Sequence, residues 1–173
     1  MVTPSRMMRW LSKAVLVLAG AGIAATSLAA DPPERSIPKG PGGRTIERGE
    51  YLVMITGCHD CHTPNFLVNG GKATQAEYLV GGKLGWRGPW GTTYPANLRL
   101  VFQTMSEDQW VAMAKEIQRR PPMPFFSLNA MSEGDVRAIY RYIRWLGPAG
   151  VPVPAYVPPD KEPPQPYVQF PMQ

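Results

Sequence analysis

The sequence predicts an all-α fold in which three main helices are joined by long irregular loops. Apolar residues recur at helical spacing in three segments, and two of these segments follow a serine that can cap a helix. Twenty prolines and 17 glycines among 173 residues are too many for a smooth helical bundle or a regular sheet. Much of the chain is therefore expected to be loop.

Residues 1–30 have the pattern of a signal peptide. Three basic residues precede a short apolar run, and small residues follow as far as Ala30. This order is typical of a leader that is cleaved on export, so the mature chain is expected in the periplasm. An uncleaved membrane anchor is the alternative, because the 17 uncharged residues between Lys13 and Asp31 are at the lower limit for spanning a bilayer.

The composition excludes several classes of protein. The formal net charge is +5, but without the leader 15 basic residues stand against 13 acidic ones, a net charge of +2. A nucleic-acid binder would carry a denser basic surface. Two cysteines are too few for a disulfide-stapled miniprotein or a four-cysteine zinc site.

The first part of the mature chain combines one helix with irregular segments. Residues 31–43 are rich in proline and glycine and are expected to form a flexible lead-in. The first helix is predicted over 44–56, and Gly49 inside its pattern indicates that another backbone comes very close. Residues 63–98 contain no long periodic segment, and a loop of this length is expected to wrap around something.

The second and third helices carry start and stop signals. Ser106 with Gln109 matches a capping box, and Pro121-Pro122 is expected to end that helix. Ser132 begins the third helix, and Gly147-Pro148 ends it.

These signals place a folded domain at residues 44–147 and a proline-rich tail at 148–173. The tail is too rich in proline to form a core of its own. It is either disordered or extended over the domain or a partner, and its aromatic residues Tyr156, Tyr167 and Phe170 favour docking.

Residues 58–62, Cys-His-Asp-Cys-His, contain both cysteines and both histidines of the chain. The C-x-x-C-H spacing is the attachment signature of a c-type haem. One helical turn can set both thiols under the vinyl groups of a porphyrin edge and carry the His62 imidazole beneath the iron. The motif therefore predicts one covalent haem c, bound through Cys58 and Cys61 and ligated by His62.

Three other interpretations of this motif fit less well. Zinc needs four ligands around the ion, which five consecutive residues cannot provide. A thioredoxin-like redox pair of Cys58 and Cys61 lacks the surrounding strand–helix pattern. A structural disulfide leaves His62 unexplained.

Met123 is the candidate for the second axial ligand. It lies in Arg-Arg-Pro-Pro-Met-Pro at 119–124, where the prolines keep the backbone extended and rigid. His59 is confined to the attachment turn and cannot reach the opposite face of a haem. His/Met ligation fills both axial positions, which suits electron transfer better than substrate binding. The remaining methionines of the mature chain are assigned to packing, helix caps or the tail: Met54, Met105, Met113, Met131 and Met172.

With these motifs in this order, residues 44–147 resemble the class I monohaem cytochrome c family. The resemblance rests on Gly49, the 58–62 motif, the 94–98 loop, Pro-Pro-Met-Pro at 121–124 and the last helix. It implies the cytochrome c fold, with three main helices and long loops around one haem. It also implies that the first and last helices cross at Gly49.

A narrower resemblance concerns the redox partner. The Asn97-Leu98 pair and the Pro-Pro-Met-Pro segment are similar to cytochrome domains that serve periplasmic or membrane-associated dehydrogenases. That group continues with Thr-Pro-Asp, whereas this chain has Arg99-Leu100-Val101. The expected partners are redox proteins, with a dehydrogenase or a terminal oxidase as candidates, and membrane contact only through a partner or an uncleaved leader.

The sequence therefore predicts a periplasmic electron carrier, and not an enzyme. A haem-based sensor or small-gas binder, in which Met123 is displaced, is the alternative function. A peroxidase is disfavoured because no further histidine can serve as a distal base. Arg87, Trp90 and Tyr94 are candidate hydrogen-bond donors to the haem propionates.

Overall fold

The computed structural model describes residues 33–172, which form six helices and a three-stranded mixed sheet. The helices are α1 (Pro41–Ile55), α2 (Cys58–His62), α3 (Leu98–Val101), α4 (Glu107–Glu116), α5 (Phe125–Ala130) and α6 (Glu133–Leu146). The strands are β1 (Gly85–Gly88), β2 (Gly91–Thr93) and β3 (Tyr167–Gln169). In the sheet β1 is central, antiparallel to β2 and parallel to β3.

The prediction of an all-α fold with three main helices is therefore wrong. The sheet has strands of three or four residues, too short for an alternating apolar pattern, and β1 both begins and ends with glycine. Its third strand comes from the proline-rich tail. The additional helices α2, α3 and α5 have four to six residues each, which is shorter than any periodic pattern can reveal.

The predicted signal peptide, residues 1–30, lies outside the residues that the structure describes. Within 33–172, no helix combines the length and the apolar character that a membrane span requires. The first helix begins at Pro41, inside the segment predicted to be a flexible lead-in, because a proline is well suited to the first turn of a helix.

The core is built around the crossing of α1 and α6. A Cβ atom on Gly49 would lie 2.1 Å from the carbonyl oxygen of Ala138 and 2.7 Å from the Cβ of Tyr142. This confirms the close approach predicted at Gly49. The fully buried side chains Val53, Tyr142 and Ile143 belong to the same cluster.

The start of α4 follows the predicted capping box. Ser106 Oγ accepts a hydrogen bond from Gln109 N, and the Gln109 side chain accepts one from Ser106 N. The helix ends at Glu116, earlier than the prolines at 121–122 predict. Asn129 of α5 explains this end, because its amide donates to the carbonyls of Ala114 and Ile117 at 2.7 and 3.3 Å.

Replacing Ser106 with alanine is expected to lower the free energy of unfolding by about 1 kcal/mol, because the N-terminal amides of α4 lose their acceptor. Ser127→Ala is the matched control, since Ser127 is exposed on α5 and caps no helix. Urea unfolding of both variants measures the difference. Equal midpoints would contradict the role of the capping box.

Arg99 anchors the carboxyl end of α6. Its guanidinium is buried and donates to the carbonyl oxygens of Leu146 and Gly147. Arg35 donates to the neighbouring carbonyl of Trp145 at 2.6 Å. Cations at this end of a helix satisfy its last carbonyls and oppose its dipole. The departure from Thr-Pro-Asp at this position therefore has a structural role.

The proline-rich tail lies extended over the domain. Val157 exchanges two backbone hydrogen bonds with Thr92 of β2, at 2.7 and 3.0 Å. Further along, β3 pairs with β1, and the Phe170 ring packs against those of Trp86 and Trp90 at 6.1 and 5.3 Å between centroids. The expected docking of the aromatic residues of the tail is confirmed.

Candidate functional site

The Cys-x-x-Cys-His motif forms the short helix α2. Gly57 precedes it with φ +72°, a left-handed conformation that favours glycine, and this sharp turn separates α2 from α1. Cys58 and Cys61 lie one helical turn apart, and both are free thiols that are partly buried. Burial raises the pKa of both thiols, so they are protonated at neutral pH.

The imidazole of His62 is held in one tautomer. Its Nδ1 lies 2.7 Å from the carbonyl oxygen of Ala96. Since a carbonyl oxygen only accepts, Nδ1 carries the proton and donates it, which leaves the lone pair of Nε2 free. Burial lowers the pKa of His62, and the ring is therefore neutral, the form that binds a metal.

The Ala96 carbonyl, which accepts the hydrogen bond from His62, is held in place by the neighbouring Asn97. The Asn97 side chain caps α3 by accepting from Leu100 N at 3.1 Å, and it donates to the carbonyls of Ala149 and Val151. The peptide that follows Ala96 is thereby tied to both α3 and the tail. Sequence reasoning missed Ala96, because a backbone acceptor has no signature in the side chains.

His59 has a packing role. It is 1% exposed, its Nδ1 makes a 2.7 Å hydrogen bond with Thr63 Oγ1, and its ring stacks on Phe66. Burial, assisted by the nearby His62, lowers the pKa of His59 to about 4. This ring is therefore neutral and enclosed by its packing partners.

Met123 lies in the turn between α4 and α5 and is half-buried. Its carbonyl oxygen accepts from Phe125 N at 2.9 Å, and the carbonyl of Pro121 accepts from Thr93 Oγ1 at 3.1 Å. The turn is thus attached to β2. Ligation by Met123 stays a prediction.

The three candidate donors to propionates differ in their surroundings. Arg87 forms an ion pair with Glu162 of the tail, and the indole N–H of Trp90 donates to the carbonyl of Trp86 at 3.3 Å. The hydroxyl of Tyr94 is buried and has no hydrogen-bond partner within residues 33–172. Three more buried groups share this property in the described part of the chain: Trp86 Nε1, Thr92 Oγ1 and Tyr142 OH.

A mostly apolar cavity of about 650 Å³ borders the attachment turn at Asp60 and Cys61. Trp86 lines it, and exposed apolar side chains stand around it: Leu67, Val68, Leu84 and Val151. Within 33–172, no three His, Cys, Asp or Glu side chains come together in a way that could hold a metal ion.

Comparison with known proteins gives one relationship. The chain is 29% identical over 139 residues to the fructose dehydrogenase cytochrome subunit of Gluconobacter japonicus. The similarity covers 75% of this chain and 26% of that relative, so the chain spans about a quarter of the length of the protein it matches. No family model and no solved structure matches this chain. The similarity supports a relationship to cytochrome subunits.

Proposed function

We propose that this chain is a monohaem cytochrome of class I that transfers electrons. In this proposal one haem c is attached through Cys58 and Cys61 and ligated by His62 and Met123. The observation that carries the proposal is the Cys-x-x-Cys-His turn, in which the bond to Ala96 prepares His62 Nε2 for an iron. The relative named as a cytochrome subunit supports the same function.

The residues present fit a haem on two counts. Both thiols are free and lie on the same helical turn as a neutral imidazole. The buried hydroxyl of Tyr94 lacks a partner within residues 33–172, and a carboxylate of a bound group can accept its hydrogen bond. Arg87 and Trp90 have partners of their own within the chain.

The residues of the site bind and position, and they do not transform a substrate. A bound haem supplies the one-electron ferric–ferrous couple. Ala96 keeps the His62 ring in one orientation, and the prolines around Met123 limit the movement of its backbone. His62 and Met123 would both hold the haem, so the proposed role is that of an electron carrier and not of an enzyme.

The proposed location is the periplasm, and the proposed electron partner is a dehydrogenase. The leader pattern supports export, and the relative is named as a cytochrome subunit of fructose dehydrogenase. Two propionates would offset the mature charge of +2, so long-range electrostatic steering would be weak. A pull-down from periplasm and membranes with the tagged mature protein identifies the partner.

Export of the chain in a host that matures c-type haems tests the proposal. We expect coloured protein that keeps its pigment in acidic acetone, a far-red band in the ferric spectrum and no response of the ferrous spectrum to carbon monoxide. Colourless protein, or pigment lost to acetone, would contradict covalent attachment. Rapid binding of carbon monoxide would favour the sensor instead.

Replacing Tyr94 with phenylalanine is expected to lower the midpoint potential by on the order of 20 mV, because a propionate that loses its donor keeps more negative charge and favours ferric iron. Tyr51→Phe is the control, since Tyr51 is 53% exposed on α1. Redox titrations between pH 5 and 8 measure both variants. Unchanged potentials in both would remove Tyr94 from the site.

A further inference from the structure

The tail is bound to the β1–β2 hairpin around Tyr156 and Val157. Val157 is paired with Thr92 through two backbone hydrogen bonds, and the Tyr156 hydroxyl donates to the carbonyl of Trp90 at 2.9 Å. A Cβ atom on Gly91 would lie 2.5 Å from the carbonyl oxygen of Val157. The tail backbone therefore rests directly on the hairpin at a position where only glycine fits.

The same part of the tail contacts the turn that carries Met123. The guanidinium carbon of Arg120 lies over the Tyr156 ring, 4.1 Å from its centroid. Next to it, Pro121 is held by Thr93, the strand residue that follows Thr92. The tail, the hairpin and the turn thus contact one another at Arg120 and Pro121, which lie three and two residues before Met123.

The turn needs such external contacts because its own sequence provides few. Pro121, Pro122 and Pro124 have no backbone N–H, so they cannot donate hydrogen bonds that would fix the turn from within. Arg119 and Arg120 are exposed, and the regular helix has already ended at Glu116. The bond from Phe125 N to Met123 and the bonds of Asn129 fix the end of the turn that joins α5, and the contacts of residues 120–121 fix the part that precedes Met123.

The tail is anchored on both sides of Tyr156. Before it, Asn97 donates to the carbonyls of Ala149 and Val151. After it, Glu162 pairs with Arg87, and β3 adds to the sheet. Because the Tyr156 hydroxyl is bonded to Trp90, the ring also keeps its face towards Arg120.

We propose that the proline-rich tail is an internal strap that fixes the Met123 turn, with Tyr156 as the positioning residue that acts through Arg120. The inference rests on the proposed ligation of the iron by Met123. It assigns the tail to this domain, whereas the sequence alone also allowed the tail to dock on a partner. A loosened strap leaves Met123 detached for a larger fraction of the time, and an external ligand then competes better for its place.

Imidazole titration of the ferric holoprotein tests the strap. Tyr156→Leu removes the cation–π contact, and we expect it to raise the apparent affinity for imidazole about two- to fivefold, the factor that such a contact contributes at an exposed site. Tyr156→Phe keeps the aromatic face but loses the hydroxyl bond to Trp90, so its imidazole affinity is expected to lie between those of the parental protein and Tyr156→Leu.

Tyr167→Leu is the matched control. It removes a second arginine–aromatic contact of the tail, that of Arg87, which lies 5.4 Å from the ring centroid in the β1–β3 part of the sheet. Because Tyr167 belongs to the later anchor of the tail, imidazole affinity is expected to rise less in Tyr167→Leu than in Tyr156→Leu. An equal rise in Tyr167→Leu and Tyr156→Leu would overturn the specific role of Tyr156.

Hydrogen exchange of peptides spanning residues 117–126 gives a readout that does not depend on the haem. We expect faster exchange in Tyr156→Leu than in the parental protein, and a smaller increase in Tyr167→Leu. Unchanged exchange and unchanged imidazole affinity in Tyr156→Leu would overturn the strap. Protein that exchanges as expected but holds no haem would contradict the proposed function while supporting the strap.

Discussion

Replacing Met123 with leucine is expected to open the iron to carbon monoxide and to lower the midpoint potential by on the order of 100 mV. Leucine has nearly the volume of methionine, so packing in the turn is kept, but it has no sulfur lone pair to bind a metal. The far-red band of the ferric protein should disappear. Absorption spectra and redox titration measure these changes.

Met113→Leu is the matched control for this variant. Met113 lies on α4 and packs against the core, and its replacement changes side-chain volume just as little. In Met113→Leu we expect the far-red band and the potential to be unchanged, and the unfolding free energy to fall by less than about 1.5 kcal/mol. A far-red band that survives in Met123→Leu would exclude Met123 as the ligand.

The helices that could be predicted are those whose signals are local. Ser106 with Gln109, and Ser132 with Asp135, form caps within four residues, and the structure has both. Gly49 is also informative from the sequence, because a glycine inside a helix lowers stability unless something needs the space. The predicted end of α4 was wrong because Asn129, whose amide bonds a carbonyl of its last turn, lies on another helix.

The sheet could not be predicted for the opposite reason. Its strands pair Trp86 with Thr93 across a tight turn, and Trp86 with Val168, which lies 82 positions further along the chain. Short strands of this kind are stabilised by what packs on them, and here that is the Phe170 ring and the tail backbone. Nothing in the residues of β1 alone indicates this partner.

In the candidate site, too, the residues of a local motif could be predicted, and the contacts between distant positions could not. Cys58, Cys61 and His62 could be predicted because the chemistry is contained in five consecutive residues. The hydrogen bond from His62 to Ala96 spans 34 positions and ends on a backbone oxygen, so no residue type announces it. Arg87 pairs with Glu162 of the tail, 75 positions further along the chain, and its residue type alone does not indicate this partner.

Replacing Gly49 with alanine is expected to lower the free energy of unfolding by about 3 kcal/mol, the upper part of the usual range for overpacking. The added methyl group would lie 2.1 Å from the Ala138 carbonyl oxygen, and backbone cannot move aside as a flexible side chain can. Helices α1 and α6 would have to separate, and the packing of Val53 and Tyr142 would loosen. Thermal and urea unfolding measure the loss.

Gly42→Ala separates this steric effect from helix propensity. Gly42 belongs to the same helix, but a Cβ atom there would meet nothing within 4 Å. Because alanine favours the helix over glycine by up to about 1 kcal/mol, Gly42→Ala is expected to leave stability unchanged or to raise it slightly. A Gly49→Ala variant as stable as Gly42→Ala would contradict the close crossing of α1 and α6, since propensity alone would then account for both.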